Sequence, residues 1–543
     1  MRIADRAVGL AGQLTTRAGT ETVSALSLLR AGAFGLEPPQ RLLNTLLAMQ
    51  RTGPLGATLT IACERRPAAI AIQDERGSVS FAELADRSDR LANALLARGF
   101  QPGDGIGILC RNHRGMFDAL FAAAKLGART VLLNTDFGGR QLADVCRREL
   151  ISLLVHDEEF TAAAADCRPV SGRVLAWTDG PAPADSIEAL LGSTPAGQPP
   201  RPARSQQIVL LTSGTTGTPK GAARDFGLSL AIPGGYLSKI QLRAQRPVYV
   251  SVPVFHAWGL LSCIVALALT DTLVLARRTE PAQLLSSLAE HRCDALITVP
   301  VLLSRLGALL ESEPRPLPDL RVVAVSGSAL PAELARRTRA VLGDVLHNLY
   351  GSTEVAYASI ATPADLAAAP GTVGRPPIGT TVRLLDADCR PVPHGQPGRI
   401  FVGNSFQFRE YTGGASLERI DGLLATGDIG HLDAAGRLFV DGRDDDMVVS
   451  GGENVYPGEV EELLLAHPRI ADAAVLPVAD AEFGQRLRAF VVREPGAELD
   501  ADAVRDYVKA ELARFKVPRD VLFRDAIPRN PAGKVDRQQL PVE

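Results

Sequence analysis

The sequence contains little that would build a metal centre, a disulfide framework or a membrane span. Its seven cysteines are odd in number and scattered, and no two form a C-x-x-C pair. Such spacing supports neither a zinc site nor a set of disulfides. No apolar run is long enough to cross a bilayer, and the first residues lack the compact apolar core of a secretory signal. We therefore expect free thiols in a reducing, cytoplasmic setting.

The chain also lacks a large excess of charge of either sign. Its formal net charge is −3 over 543 residues, so no global basic field indicates nucleic acid as a partner. Apolar residues make up 46% of the sequence and charged residues 22%, as in an ordinary globular protein. The chain is too long for a single core, and its length predicts roughly three to four domain-sized units.

Residues 1–52 are predicted to form a helical, slightly basic N-terminal extension. Up to Arg51 the sequence has six arginines and three acidic residues. After a start at Pro38 and Pro39, the segment "RLLNTLLAMQR" places leucines on one helical face. Two interpretations stay open: a helix lying on a membrane surface, or a helix packed on the main body, which the short, aromatic-poor stripe favours. Peripheral membrane contact and a homodimer are both open predictions.

Beyond about residue 61, short apolar runs alternate with helical segments. Ser80 and Glu83 form a capping box at the start of one helix, and Gly99 ends it. Runs such as "GIGILC", "ALITVP" and "RVVAVSG" are rich in β-branched residues, and the alternation predicts an α/β fold with a largely parallel sheet. The segment 181–207, rich in Pro, Ala and Gly, is predicted to be a surface connection. The pattern of predicted strands and helices changes after about Phe439, which predicts a small separate α+β domain.

The stretch "LLTSGTTGTPKGAARDF", residues 210–226, points to chemistry. It packs glycines, hydroxyl residues and one lysine directly after an apolar run. Glycines let backbone N–H groups approach an anion, hydroxyls add donors and lysine adds charge, so the loop predicts a polyphosphate site. It is not a Walker A loop, because Lys220 is followed by Gly221. The alternative is an ordinary strand-to-helix connection.

Five further motifs follow this loop in the sequence, and their order resembles that of a known family. "NLYGSTE", "ATGDIG", "GRLFVDGRDDDMV", "SGGENVYPGEVE" and "NPAGKVDR" succeed the glycine- and threonine-rich loop. The set resembles the acyl-adenylate-forming superfamily over nearly the whole chain beyond about residue 55, and most resembles bacterial fatty acyl-CoA synthetases. The resemblance implies a large domain of sheets flanked by helices (five αβαβα-like layers plus a small β-barrel, residues 53–442), a hinge at 443–446, and a small mobile α+β domain at 447–543.

The resemblance also implies a two-step reaction that uses ATP, Mg²⁺ and coenzyme A. A carboxylate attacks the α-phosphate to give acyl-AMP, and the thiol of CoA then takes the acyl group. Glu354 would hold Mg²⁺ and Thr353 would donate to the α-phosphate, while Asp428 would accept from the ribose hydroxyls beside Arg443. The other implied nucleotide-binding residues are Thr212, Ser213, Gly214, Thr215, Thr216, Gly217, Lys220, Asn348, Tyr350, Gly351 and Ser352.

Three implied roles fall near the C-terminus. Lys534 would bridge the substrate carboxylate and the α-phosphate, neutralising charge where two anions meet. Asp445 would be the hinge about which the small domain swings between the two half-reactions. Gly451 and Gly452 would then leave room for the pantetheine arm of CoA.

His256 bears on the identity of the acid. Amino-acid adenylation domains usually place an aspartate at this position to pair with the substrate ammonium, and an imidazole offers no such partner. We therefore expect a plain carboxylic acid with an apolar body, either a medium- or long-chain fatty acid or a bulky alicyclic or aromatic acid. Small residues of the predicted acyl-pocket loop would leave space for it: Gly327, Ser328 and Ala329.

Two alternatives remain from the sequence. One is an acyl-AMP ligase that loads a carrier protein, although there is no obvious room for the restraining insertion of that group between Glu354 and Asp428. The other is a non-catalytic homologue that binds acyl or nucleotide ligands. The second is disfavoured because every key charged residue is present: Lys220, Glu354, Asp428, Arg443 and Lys534.

Overall fold

The computed structural model describes most of the chain. The described residues are 2–33, 39–212, 220–224, 229–405, 411–412, 414, 416–444, 448–450, 453–455, 457–480, 484–512, 516–530 and 533–541.

The helices are numbered here in chain order. They are α1 (Arg2–Ala31), α2 (Pro39–Arg65), α3 (Phe81–Ala97), α4 (Arg114–Lys125), α5 (Gly139–Arg148), α6 (Ile187–Ser193), α7 (Ala231–Lys239), α8 (Ala257–Ala268), α9 (Pro281–Glu290), α10 (Pro300–Ser312), α11 (Ala332–Leu342), α12 (Pro363–Ala368), α13 (Pro457–Leu465) and α14 (Ala501–Glu511).

The strands are numbered in the same way. They are β1 (Ile70–Asp74), β2 (Gly77–Ser80), β3 (Gly105–Leu109), β4 (Arg129–Leu132), β5 (Ile151–Asp157), β6 (Arg173–Trp177), β7 (Gln207–Thr212), β8 (Lys220–Arg224), β9 (Pro247–Val250), β10 (Thr272–Val274), β11 (Ala295–Thr298), β12 (Val322–Val325), β13 (Leu346–Tyr350), β14 (Ser359–Ala361), β15 (Thr381–Leu385), β16 (Gly398–Gly403), β17 (Arg419–Ile420), β18 (Leu423–Leu432), β19 (Leu438–Arg443), β20 (Val448–Ser450), β21 (Glu453–Val455), β22 (Ile470–Asp480), β23 (Gly484–Arg493) and β24 (Asp520–Phe523).

Two mainly parallel sheets form the body of the protein. The eight-stranded sheet has the order β14-β13-β12-β11-β9-β10-β1-β2, and the six-stranded sheet has the order β6-β5-β3-β4-β7-β8. Antiparallel pairs occur only at their edges, β13–β14, β1–β2 and β7–β8, among the described strands. The central strands β11 and β12 are buried along their whole length. Full burial explains their continuous apolar sequences, because helices cover both faces of such sheets. The α/β prediction is confirmed.

Two further sheets complete the fold. An antiparallel sheet joins β15, β16, β17, β18 and β19, while β20 to β24 form a C-terminal sheet beside α13 and α14. The C-terminal elements have an apolar core of their own, which includes Val460, Leu464, Val475, Val491 and Val508. A small α+β unit at the C-terminus was expected, and the sheet and helices there agree with it.

Local signals set several element ends, and one expectation needs correction. The Ser80–Glu83 capping box is present at the start of α3, and Gly99 follows that helix at φ +86°. The predicted surface connection 181–207 is wrong in part, because it contains α6, whose Ile187 and neighbours are buried. The helix α2 is interrupted at Gly53 (φ 72°, ψ 175°) and resumes as far as Arg65. The domain boundary between residues 52 and 53 stays a prediction.

The N-terminal extension packs on the main body in the part where side chains are described. Ser24, Ser27, Leu28 and Ala31 of α1 are buried, whereas Val23 points outward and is 43% exposed. Across the described residues, no helix combines the length and apolarity needed to span a bilayer.

Candidate functional site

The predicted phosphate loop connects two paired strands. β7 and β8 are antiparallel, and Thr212 pairs with Lys220 as the last residues before the connection. A Cβ atom on Gly221 would lie 2.7 Å from the Thr412 hydroxyl and 3.0 Å from a Glu149 oxygen, so glycine is required after the lysine. The remaining predicted loop residues lie outside the described part of the chain: Ser213, Gly214, Thr215, Thr216 and Gly217.

A tyrosine that sequence reasoning missed holds Glu354. The Tyr411 hydroxyl donates to Glu354 Oε1 at 2.7 Å, and the Glu354 N–H donates to Ser352 Oγ at 3.2 Å. Tyr411 reaches this place because its segment pairs with β8, with the Thr412 N–H donating to Gly221 O at 2.8 Å. Burial and the Glu354 charge raise the pKa of Tyr411, so the phenol stays a donor. Fixing one oxygen orients the carboxylate, and the second can ligate a hard cation.

A second carboxylate is held between two sheets. Tyr350, the last residue of β13, donates its hydroxyl to Asp428 Oδ2 and also contacts Thr426 Oγ1 at 3.3 Å. Asp428 and Arg443 face each other across β18 and β19, with Arg443 Nη1 3.8 Å from Asp428 Oδ1. Burial and the Asp428 charge raise the pKa of Tyr350 well above its usual range. A carboxylate fixed in this way suits paired hydroxyl donors such as a ribose diol.

His256 stands at the start of α8 with a buried, unused ring nitrogen. Its Nε2 has no hydrogen-bond partner among the described residues, and its ring lies 4.5 Å from that of Phe255. Burial, and to a lesser degree the Lys534 charge, lowers the pKa of His256 to about 4. The imidazole is therefore neutral near pH 7 and carries an unsatisfied polar atom that a ligand can meet.

The charge of Lys534 affects the pKa of His256, and the segment that carries this lysine packs against the start of α10. A Cβ atom on Gly533 would lie 3.2 Å from Val301 Cγ1, and Gly533 has φ +77°. Glycine thus allows both the turn and the close approach. Arg529 holds the segment from the other side, donating to Gly533 O at 3.0 Å and pairing with Asp472 at 2.7 Å. Lys534 itself is exposed.

The other predicted site residues follow neighbouring strands. Asn348 lies in β13, and a Cβ atom on Gly351 just beyond it would be 2.3 Å from Ala356 O, so this turn needs glycine. Ser352 and Thr353 are half-buried. Gly327 (φ +95°), half-buried Ser328 and exposed Ala329 follow the adjacent strand β12, so both turns leave the same edge of the sheet. Three residues lie outside the described part of the chain: Asp445, Gly451 and Gly452.

Asn112 is a positioning residue that sequence reasoning also missed. Its buried side chain donates to Val250 O at 3.3 Å and Val252 O at 2.8 Å, and it accepts from the Val254 N–H at 3.0 Å. It follows β3 of the six-stranded sheet and holds the chain that leaves β9 of the eight-stranded sheet towards His256. The sequence signal for such a role was a polar residue just beyond the buried parallel strand β3.

Cys110, His113 and Asp157 surround the Asn112 turn and offer ligand atoms within 4.8 Å of one another. Hydrogen bonds within this turn already use the polar atoms of His113 and Asp157. The Gly115 N–H donates to His113 Nδ1 at 3.1 Å, so the Nε2–H donates to Asp157 Oδ1 at 2.8 Å. Burial raises the pKa of Cys110 well above its usual range, which keeps the thiol protonated. The cluster is a buried hydrogen-bond network that stiffens the turn.

Asn112→Ala is expected to destabilise the large part of the protein. It leaves two buried carbonyls and one buried N–H without partners, which costs about 2–4 kcal/mol in the free energy of unfolding. Denaturant unfolding measures the loss. Asn93→Ala is the matched control: it removes one hydrogen bond to Gly197 O at the surface, and we expect a change within about 0.5 kcal/mol. Equal effects for the two variants would contradict the positioning role.

The His256 imidazole is expected to titrate near pH 4, and Lys534→Ala to raise that midpoint. The folded pKa, about 4, lies below the ordinary 6.5, so the unfolded state takes up the proton first. His256 therefore lowers the free energy of unfolding as pH falls from about 6.5 towards 4. NMR of histidine-labelled protein measures the midpoint, with His256→Gln assigning the resonance. A midpoint near 6.5 would show that the ring is solvated.

Comparison with known proteins identifies the family. A family model described as AMP-binding enzyme matches residues 59–412, and one described as AMP-binding enzyme C-terminal domain matches residues 459–534. The chain is 32% identical to a feruloyl-CoA synthase of an Amycolatopsis species over 86% of this chain and 94% of the relative. It is also 32% identical to an indoleacetate–CoA ligase of Aromatoleum aromaticum over 87% and 95%.

Solved structures agree in fold. The o-succinylbenzoate CoA synthetase of Bacillus subtilis in complex with its acyl-adenylate has a TM-score of 0.78 at 28% identity, covering 89% of this chain and 97% of that one. The same enzyme in complex with ATP and magnesium ion has a TM-score of 0.76, covering 89% and 98% at 28% identity. The chain therefore belongs to the AMP-binding enzyme family and is an acid–thiol ligase that uses ATP, Mg²⁺ and coenzyme A and proceeds through an acyl-adenylate.

Proposed function

We propose that this ligase converts a hydrophobic carboxylic acid, with an aromatic or arylalkanoic acid as the leading class, into its CoA thioester. The observation that carries the proposal is His256. It is neutral, buried and unsatisfied at Nε2 among the described residues, and it stands at the start of the apolar helix α8. Such a residue accommodates a carboxylate with an apolar body and gives no partner to an ammonium. Feruloyl-CoA synthase and indoleacetate–CoA ligase, both 32% identical, support the aromatic class.

The nucleotide side follows from the two oriented carboxylates. Asp428, fixed by Tyr350, accepts from the ribose hydroxyls, and Arg443 limits the negative charge at that point. Glu354, oriented by Tyr411, contributes a ligand to the metal. Bound Mg²⁺ supplies positive charge that offsets the charge of the leaving phosphates. Thr353 donates to the α-phosphate, and the Lys220 loop, whose conformation lies outside the described residues, holds the β- and γ-phosphates.

Lys534 reduces the repulsion between the substrate carboxylate and the α-phosphate. A carboxylate approaching an α-phosphate is opposed by charge repulsion, which a cation held at the junction reduces. The packing of Gly533 on Val301 and the effect of Lys534 on His256 support a position for this lysine beside the acid site. For thioester formation we propose rotation about Asp445, which brings Gly451 and Gly452 to the site in place of Lys534.

The direct test is AMP release from ATP and Mg²⁺ over a panel of acids, with and without CoA. The panel includes ferulate, indoleacetate, benzoate, octanoate, palmitate and a polycyclic acid, and phenylalanine is the amino-acid control. We expect CoA-dependent turnover with an aromatic acid and none with phenylalanine. Preference for palmitate would overturn the aromatic class. Acyl-AMP that accumulates regardless of CoA would favour transfer to a carrier protein.

Lys534→Ala is expected to divide the two half-reactions. Formation of acyl-AMP falls by about 100-fold or more, since the cation acts where charge develops, whereas preformed acyl-AMP still reacts with CoA. Single-turnover assays of each half-reaction measure the difference. Lys509→Ala removes an exposed lysine from α14 of the same C-terminal region and is the matched control. Equal loss of both half-reactions in Lys534→Ala would contradict the role.

A further inference from the structure

The first turn of α7 is capped only in part by its own segment, in which Ser229 Oγ accepts from the Ala231 N–H at 3.2 Å. Leu230 occupies the N-cap position and cannot accept a hydrogen bond through its side chain. A helix start leaves backbone N–H groups that need acceptors, and a buried start without them is costly. A further acceptor, for the Leu230 N–H, comes from the N-terminal extension. Glu21 of α1 accepts from the Leu230 N–H at 2.8 Å through Oε2 and from the Ser229 hydroxyl at 2.7 Å through Oε1.

The contact is one of close packing as well as hydrogen bonding. A Cβ atom on Gly234 of α7 would lie only 2.4 Å from the Ser24 Cβ of α1. Small residues on both helices therefore let the two backbones approach directly. The end of α1 is tied down by a backbone bond, from the Ala244 N–H to Ala31 O at 2.8 Å, just beyond α7.

Other residues of α7 contact two side chains that lie close in sequence to Glu354 and His256. The Tyr357 hydroxyl donates to Ile232 O at 2.8 Å, and Tyr357 lies three residues after Glu354. The Tyr236 ring is 6.0 Å from the Trp258 ring, and Trp258 lies in the first turn of α8, two residues after His256. A shift of α7 would thus be transmitted to the metal-ligating turn and to the acid site.

We propose that α1 is a positioning element for the ligase reaction and that Glu21 is its key residue. α1 lies before residue 59, where the match to the family begins, so this support is an addition outside the matched domains. Glu21 fixes the first turn of α7, and α7 in turn sets where Glu354 and His256 stand. Its effect on turnover rests on the proposed function, whereas its effect on α7 does not.

The experiment compares four variants of the full chain. Glu21→Ala removes both acceptors, Glu21→Gln keeps one carbonyl oxygen, and Ser24→Leu forces the helices apart. Leu26→Ser alters the exposed face of α1 and is the matched control, since Leu26 is 47% exposed. The measurements are KM and kcat for the acid with the highest turnover in the panel, KM for CoA, and amide hydrogen exchange of residues 230–236.

We expect Glu21→Ala to raise KM for the acid about tenfold, in line with the loss of a helix cap, with Glu21→Gln between it and the parent. KM for CoA and the control stay unchanged, and exchange of residues 230–236 accelerates in Glu21→Ala. A mere loss of folded protein would lower kcat for every substrate and leave KM unchanged, which would overturn the proposal. If the parent forms no acyl-AMP with any acid, the proposed function fails, and the exchange of residues 230–236 still decides whether Glu21 holds α7.

Discussion

The two mainly parallel sheets must meet at their carboxyl edges, and the rest of the site depends on that junction. Asn112 bridges this junction. Its buried side chain forms hydrogen bonds with the backbones of Val250, Val252 and Val254. Buried amides with all partners in place fix a geometry, because any displacement leaves polar groups unpaired in a low-dielectric interior. The chain leaving β9 can therefore deliver His256 to the same edge from which β13 delivers Glu354.

The charges of the site are separated by role. The two carboxylates are each oriented by a tyrosine whose pKa is raised, Glu354 by Tyr411 and Asp428 by Tyr350. Neutral phenols orient a carboxylate without cancelling its charge, so both groups remain available to a metal ion or a diol. Burial keeps His256 neutral, and we propose that it lies on the acid side, where Lys534 from the C-terminal region supplies the cation. A cation on a separate segment suits a reaction in which Lys534 is needed for acyl-AMP formation but not for thioester formation.

Much of the fold could be predicted from local signals. Buried β-branched runs, the Ser80–Glu83 capping box and the order of the motifs follow from chemistry that is close in sequence. The missed features arise from contacts between distant segments. Tyr411 finds Glu354 only because its segment pairs with β8, and Asn112 acts on a loop 138 to 142 residues away. α6 was hidden by the proline and glycine around it, although Ile187, Leu190 and Leu191 carried a helical spacing.

The contact between α1 and α7 is of the same long-range kind, and it shows why a helix outside the matched family can matter. Glu21 lies about two hundred residues from Ser229 and Leu230. No local sequence pattern therefore predicts that it caps α7. The local residue Ser229 accepts only from the Ala231 N–H, so the Leu230 N–H depends on the acceptor that α1 supplies. The helix α7 contacts Tyr357 and Trp258, and we propose that the element that fixes α7 thereby limits the movement of Glu354 and His256. On this proposal, an N-terminal helix adjusts the acid site without changing any residue that touches the substrate.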